Sequence, residues 1–143
     1  MKKASAMIIT LRVKLGTAWS VDMELDDSTV LADVHLAIQR AVEFDNDHLY
    51  AFFVARTERA QKRFMLDDEN ELVFSRKLSQ LFPLPDKQSL FYLFDYGDNW
   101  KFKIVLTRKR PHEPVAGIEY PRVVNETGTK PIQYRGPDDW DDE

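Results

Sequence analysis

From Ile9 onward the run Met7-Ile-Ile-Thr-Leu-Arg-Val-Lys-Leu15 alternates, with Ile9, Leu11, Val13 and Leu15 on one face and Thr10, Arg12 and Lys14 on the other. Successive side chains leave a strand on opposite faces, so this pattern predicts a strand buried on one side. After Gly16-Thr17 the alternation resumes in Trp19-Ser-Val-Asp-Met-Glu-Leu25, with Trp19, Val21, Met23 and Leu25 inward. The short polar break between the runs predicts an antiparallel hairpin. The period then changes. Val30, Leu31, Val34, Ile38, Ala41 and Val42 recur at helical spacing behind Asp26-Asp27-Ser28, whose short oxygens suit an N-cap, so a helix is expected over residues 29–44. Asp45-Asn46-Asp47 ends it, and His48-Leu-Tyr-Ala-Phe-Phe-Val-Ala55 reads as a third strand.

Beyond Arg56 the pattern weakens. Lys62-Arg-Phe-Met-Leu66 reads as a short strand, Asp67-Asp-Glu-Asn70 as a turn, and residues 78–82 as a helical turn ended by Pro83 and Pro85. A second, aromatic hairpin follows over residues 88–96 and 99–108. With a Gly97-Asp98-Asn99 loop, Tyr96 faces Trp100, Phe94 faces Phe102, and Tyr92 faces Ile104. With a two-residue Gly97-Asp98 turn, Asp95 faces Trp100, and Phe91 and Leu93 join Phe102 and Ile104. A one-residue slip exchanges the two faces, so both registers remain open. In either, most of the rings are expected in the core. Five prolines from Pro111 to Pro137 predict an irregular C-terminal part, with one short helix within Tyr120-Pro-Arg-Val-Val-Asn-Glu-Thr-Gly128.

These elements add up to an α+β fold. The expected domain covers residues 1–136: a mixed, mostly antiparallel sheet of two hairpins plus a central strand, packed by one main helix in a roll-like arrangement. With 143 residues, 43% of them hydrophobic, the chain can bury a core without disulfides or a structural metal. Its lack of cysteine excludes thiol catalysis and thiolate metal sites, and accords with a cytoplasmic location. The opening Met1-Lys-Lys and the short, interrupted apolar run after it fit neither a signal peptide nor a membrane span.

The net charge of −4 is unevenly placed. Residues 137–143, Pro-Asp-Asp-Trp-Asp-Asp-Glu, hold five of the 24 acidic groups and no base, leaving 19 acids against 20 bases elsewhere. An acidic C-terminal tail is therefore expected, solvated or docked through Trp140 on Arg56-Arg59-Lys62-Arg63 or Arg108-Lys109-Arg110. An acidic balance argues against strong nonspecific nucleic-acid binding, which rests on clustered Lys and Arg.

Several ordered motifs carry a resemblance. Val30-Leu-Ala-Asp-Val-His-Leu-Ala-Ile-Gln39, His48-Leu-Tyr-Ala-Phe52, Tyr92-Leu-Phe-Asp-Tyr-Gly-Asp-Asn-Trp100, Lys103-Ile-Val-Leu106, Tyr120-Pro-Arg-Val-Val124, Gly128 and Pro131-Ile-Gln-Tyr134 resemble the pRiA4b plasmid ORF-three-like family over nearly the whole chain. The resemblance implies an α+β protein of a group often encoded near plasmid or insertion-element genes, with no assigned biochemical activity. Some relatives carry a resolvase-like label, but no recombinase constellation or DNA-reading helix occurs here. Many also continue into a Pro-Pro-Glu-Asp-like motif, of which Gly136-Pro-Asp-Asp139 is at most a remnant.

Within these motifs, His48, Asp95 and Asp98 can meet at one end of a sheet, a set sufficient for a divalent metal or for a base with an orienting partner. The opposing expectation is that the aspartates accept turn amides and His48 bonds locally. His35, at the border of the helical stripe, reads as a satisfied boundary residue, His112 as an exposed loop residue, and Gly97 as a turn glycine. No phosphate-binding loop or dinucleotide fingerprint occurs, and no cofactor or bound metal is expected. The leading functional expectation is a non-catalytic module that binds a protein or peptide. Its candidate site is His48, Tyr50, Asp95, Tyr96, Gly97, Asp98 and Trp100, with Tyr96, Trp100 and Trp140 as aromatic anchors. The alternatives are a small metal-assisted hydrolase using His48, Asp95 and Asp98, and a nucleic-acid-associated accessory protein.

Overall fold

Two hairpins side by side form the centre of the molecule. In the computed structural model, which describes residues 6–133, β1 (Ile8–Leu15) and β2 (Trp19–Asp26) make the first. After α1 (Leu31–Val42), β3 (Tyr50–Ala55) and β4 (Phe64–Leu66), two short helices, α2 (Leu72–Ser75) and α3 (Leu78–Leu81), lead into the second hairpin, β5 (Ser89–Phe94) and β6 (Trp100–Leu106). The last strand is β7 (Arg122–Gly128). Among the described residues, these seven strands join one sheet in the order β4-β3-β5-β6-β1-β2-β7. Every pairing is antiparallel.

This overturns the expected balanced α+β class. The molecule is predominantly a seven-stranded antiparallel sheet, neither mixed nor five-stranded, and its helices hold only 12, 4 and 4 residues. The main cause is residues 122–128, which are a strand and not the expected helix. Trp19 is fully buried and its indole N–H needs an acceptor. Glu126 on β7 accepts that bond at 2.7 Å, and Arg122 donates to buried Glu24 on β2 at 2.7 Å. The segment thus satisfies two buried polar groups only when extended beside β2.

One face of the sheet carries the main core. Leu11, Val13, Trp19, Val21, Met23 and Leu25 of the first hairpin meet Leu90, Tyr92, Phe94, Phe102 and Ile104 of the second, under α1, α2 and α3. The second hairpin adopts neither anticipated register. Phe94 pairs with Trp100, Tyr92 with Phe102 and Leu90 with Ile104, across a five-residue connection at 95–99. This is displaced two residues from the three-residue-loop alternative, so Tyr92, Phe94 and Phe102 remain inward while Tyr96 falls in the connection and is exposed. The left-handed conformations fall on Asp95 (φ 61°) and Asn99 (φ 64°), not on Gly97. Both residue types tolerate that region.

Helix α1 is also capped differently from expectation. Its N-cap, Val30, offers no side-chain bond, and Asp26 instead holds Ser28. The Leu31 N–H donates to the Arg76 carbonyl at 3.1 Å, so the tertiary neighbour α2 satisfies part of the helix start. A smaller apolar cluster lies on the opposite sheet face, where Phe53, Ala55 and Phe91 are covered by Ala60 and Arg63 of the 56–63 connection. No helix among the described residues is long and apolar enough to cross a membrane. The acidic tail, Trp140 and Gly136-Pro-Asp-Asp139 lie outside the described residues.

Gly128 closes β7 at φ 81°, where an added Cβ would sit 2.1 Å from the Ala18 carbonyl oxygen. Gly128→Ala is predicted to cost about 3 kcal/mol through backbone strain and collision. Urea unfolding measures the loss, and hydrogen exchange should accelerate first in β7.

Candidate functional site

The inner face of the sheet contains a tyrosine with no solvent access, and its hydroxyl sets the geometry around it. Tyr92 is 0% exposed. Gln39 of α1 donates to that hydroxyl at 2.9 Å, and the hydroxyl lies 2.5 Å from His35 Nδ1. His35 Nε2 faces Asn46 Oδ1 at 2.6 Å, and the Asn46 backbone N–H donates to Gln39 Oε1 at 2.9 Å. One assignment of protons satisfies every member: Gln39 to Tyr92, Tyr92 to His35, His35 to Asn46, and Asn46 back to Gln39. The cycle closes on a neutral imidazole protonated at Nε2. Burial holds the His35 pKa down to about 4, against the opposing effect of the Asn46 bond, and burial raises that of Tyr92. His35 is therefore a core residue, not a boundary one.

The Tyr50 ring lies flat on His35, with centroids 3.6 Å apart and planes within 3°. Beside this stack opens a groove of about 340 Å³ between the first turns of α1 and the segment leading into β3. Asp33 and Leu36 supply the helix side, His48 and Leu49 the opposite rim, and Asp68 of the turn after β4 the end. Leu36 and Leu49 are 42% and 61% exposed. The tyrosines register the local charge. Burial is the largest cause raising the Tyr50 pKa, followed by Asp68 and Asp33, while Tyr96 is raised by burial and then by Asp67, Asp68 and Glu69. The groove mouth is thus acidic.

The seven residues expected to form a site separate into two groups. His48, Tyr50, Asp95 and Tyr96 come together. His48 Nε2 lies 3.4 Å from Asp95 Oδ2 and 3.6 Å from Asp47, and the Tyr96 hydroxyl donates to the Tyr50 carbonyl at 3.2 Å. The other Asp95 oxygen accepts the Gly97 and Asp98 amides at 3.1 and 3.3 Å, tightening its own turn. Gly97 and Asp98 thus serve that turn through backbone N–H groups. Trp100 belongs to the core side, 5.1 Å from Phe44, and its buried indole nitrogen has no acceptor among the described residues. No set of three His, Asp or Glu among the described residues has metal-binding geometry.

His112 also departs from the exposed-loop expectation: it bridges to Ile8 and places Nε2 3.6 Å from Glu24. Burial pushes the Glu24 carboxyl up, but Arg122, His112 and Lys109 override that and leave it below the ordinary range. Sequence reasoning missed Asp33, Leu36, Leu49 and Asp68 as groove residues. The available signal was Leu36, a large apolar residue off the buried stripe of α1.

The profile of the family described as Plasmid pRiA4b ORF-3-like protein matches residues 8–137. Uncharacterized protein y4hQ of Sinorhizobium fredii (strain NBRC 101917 / NGR234) is 31% identical over 111 residues, covering 74% of this chain. The match spans 53% of that relative, about half its length. A crystal structure of a protein of unknown function, MM3350 from Methanosarcina mazei Go1, superposes with a TM-score of 0.68 at 21% identity, covering 87% of this chain and 72% of the other. At that identity the likeness concerns the fold.

The His35 cycle predicts a pH dependence of stability. With a folded pKa near 4 and an ordinary value of 6.5, the unfolded chain binds more protons between these limits. The contribution is complete above pH 6.5 and is lost as pH falls toward 4. Urea unfolding is expected to show a loss on the order of 1–2 kcal/mol from pH 7 to pH 5. His35→Leu, though less stable throughout, should lose that slope. The Glu24 contribution falls below this window, since its folded pKa lies under 4.5.

Proposed function

The chain belongs to the plasmid pRiA4b ORF-3-like family, and from that premise we propose that it is a non-catalytic module that binds a basic segment of a protein or peptide in the groove beside His48. The observation that carries this reading is the combination within one groove of exposed Leu36 and Leu49 with Asp33 and Asp68. Apolar contacts supply area, and carboxylates at the mouth select a Lys or Arg side chain over an acidic one. The floor is preorganised, because Tyr50 is stacked on a histidine that is itself hydrogen-bonded on both ring nitrogens. A rigid aromatic floor lowers the entropy cost of binding. A cytoplasmic location is part of the same proposal.

The competing hydrolase reading draws on the 3.4 Å approach of His48 to Asp95. Against it, Asp95 is engaged by its own turn, and Asp98 supplies a backbone amide to that turn. Trp100 packs half-buried against Phe44 on the core side, which leaves exposed Tyr96 and Leu49 as the anchors.

A random peptide array probed with the full chain tests the proposal. Bound sequences should be enriched in Lys or Arg flanked by apolar residues. The paired change Asp33→Asn with Asp68→Asn should weaken a selected peptide about three- to tenfold, as expected for two partly exposed ion pairs. His48→Ala should leave binding within about twofold. Binding indifferent to the paired change would contradict the reading.

A further inference from the structure

The sheet face opposite the helices carries an arrangement that its own stability does not explain. In the β1–β6 register, Lys14 stands directly across from Lys103, and Arg12 across from Val105. By alternation Lys101 shares that face with Lys103, one pleat repeat away. Like charges directly opposite on neighbouring strands destabilise a sheet. No carboxylate lies within ion-pair distance of Lys14, Lys101 or Lys103 among the described residues. Lys14 and Lys101 are half-buried, so part of their hydration is lost without compensation.

The line of cations continues along the same strand pair. Past Arg12, the outer face opens into a groove of about 630 Å³ with Thr10, Thr107, Arg108 and Lys109 along it. Arg12 is held by Asp22 at 2.7 and 3.1 Å, and Lys109 reaches Glu24 only at 4.0 Å. Among the described residues, Lys101, Lys103, Lys14 and Arg108 therefore have no carboxylate partner along the β1–β6 axis. Acidic Asp33 and Asp68 belong to the groove on the inner side, whereas Asp22 and Glu24 on the outer face are engaged by Arg12 and Arg122.

We propose that this outer face of β1 and β6 binds the sugar-phosphate backbone of single-stranded nucleic acid. Lys101, the Lys14–Lys103 pair abreast of each other, and Arg108 beyond Arg12 follow the strand direction, which fits an extended chain that carries repeated negative charge. Lysine acts there as a point charge for phosphate. The aromatic rings nearest the row, Phe91 and Phe53, are buried beneath Ala60 and Arg63 and offer no stacking platform. Recognition is accordingly of backbone charge and not of base identity. This surface is separate from the peptide groove and stands without it.

The test uses the full chain and fluorescein-labelled dT20 read by anisotropy. Micromolar binding is expected at 50 mM salt. With about four phosphates neutralised, log K should fall against log salt with a slope of about −2.8, or about fiftyfold between 50 and 200 mM. Lys14→Gln and Lys103→Gln should each weaken binding about three- to tenfold while thermal stability holds or rises, because each removes one of two opposed like charges. A purely structural role would move stability the other way. Asp33→Asn with Asp68→Asn should leave dT20 binding within about twofold, which separates this surface from the peptide groove. The proposal is overturned by no binding at 50 mM salt, by salt-independent binding, by full binding in the Lys14→Gln/Lys103→Gln double variant, or by polyglutamate competing as well as dT20.

Discussion

A phenol buried without access to water must have its hydroxyl satisfied by protein, and much of the arrangement on the inner sheet face follows from that requirement at Tyr92. Leaving such a group unpaired costs on the order of 1–3 kcal/mol. The cycle through Gln39, His35 and Asn46 avoids the cost, but only if α1 lies at one rotation and one depth above β5. Fixing the helix in this way also fixes what stands beside it. His35 becomes the surface on which Tyr50 stacks, Leu36 is turned outward, and Asp33 is brought to the groove mouth. The groove is thus a by-product of satisfying a buried hydroxyl, and its floor is rigid for the same reason.

The C-terminal elements close the sheet by similar means. Trp19 and Glu24 are buried on β2; the Trp19 indole N–H finds its acceptor in Glu126 of β7, and Glu24 finds its shortest partner in Arg122 of β7, with His112 and Lys109 farther off. From there the chain crosses to the far end of α1, where Lys130 pairs with Glu43 and Gln133 bonds the Asp45 amide and the Asp47 carboxylate. Asp47 in turn lies beside His48. A segment rich in proline, with little apolar payload, is therefore held by polar bonds between distant residues. Hydrophobic periodicity, the usual guide to an element, is weak in such a segment.

The two faces of the sheet divide the molecule electrostatically. Helices and acidic turns surround the inner groove, while the solvent face of the two central strands carries lysines aligned by register. Net charge hides this division because it sums over both sides. Legibility differed accordingly. Alternation in Ile9 to Leu15 and Trp19 to Leu25 revealed the first hairpin and its inward face, and the helical stripe located α1 within two residues at each end. The family resemblance was also legible, because it rests on local motifs in order. Within the candidate site, the meeting of His48 with Asp95 was anticipated as an option, whereas the positions of Trp100, Asp33 and Asp68 were not.

The amino-acid order by itself determined the strands of both hairpins, the amphipathic helix and the predominance of aromatic packing, since each depends on side-chain period within a dozen residues. Three outcomes were decided only in the folded molecule. The second hairpin settled in neither of its two anticipated registers, with Asp95 and Asn99 in left-handed conformations. Residues 122–128 became a strand because buried Trp19 and Glu24 required distant polar partners. The sheet then became seven-stranded and wholly antiparallel because the hairpins joined through β1 and β6. That joining sets Lys14 opposite Lys103. The first outcome turns on backbone conformation within one turn and the other two on pairings between residues far apart in the chain, and neither leaves a periodic mark in a single sequence.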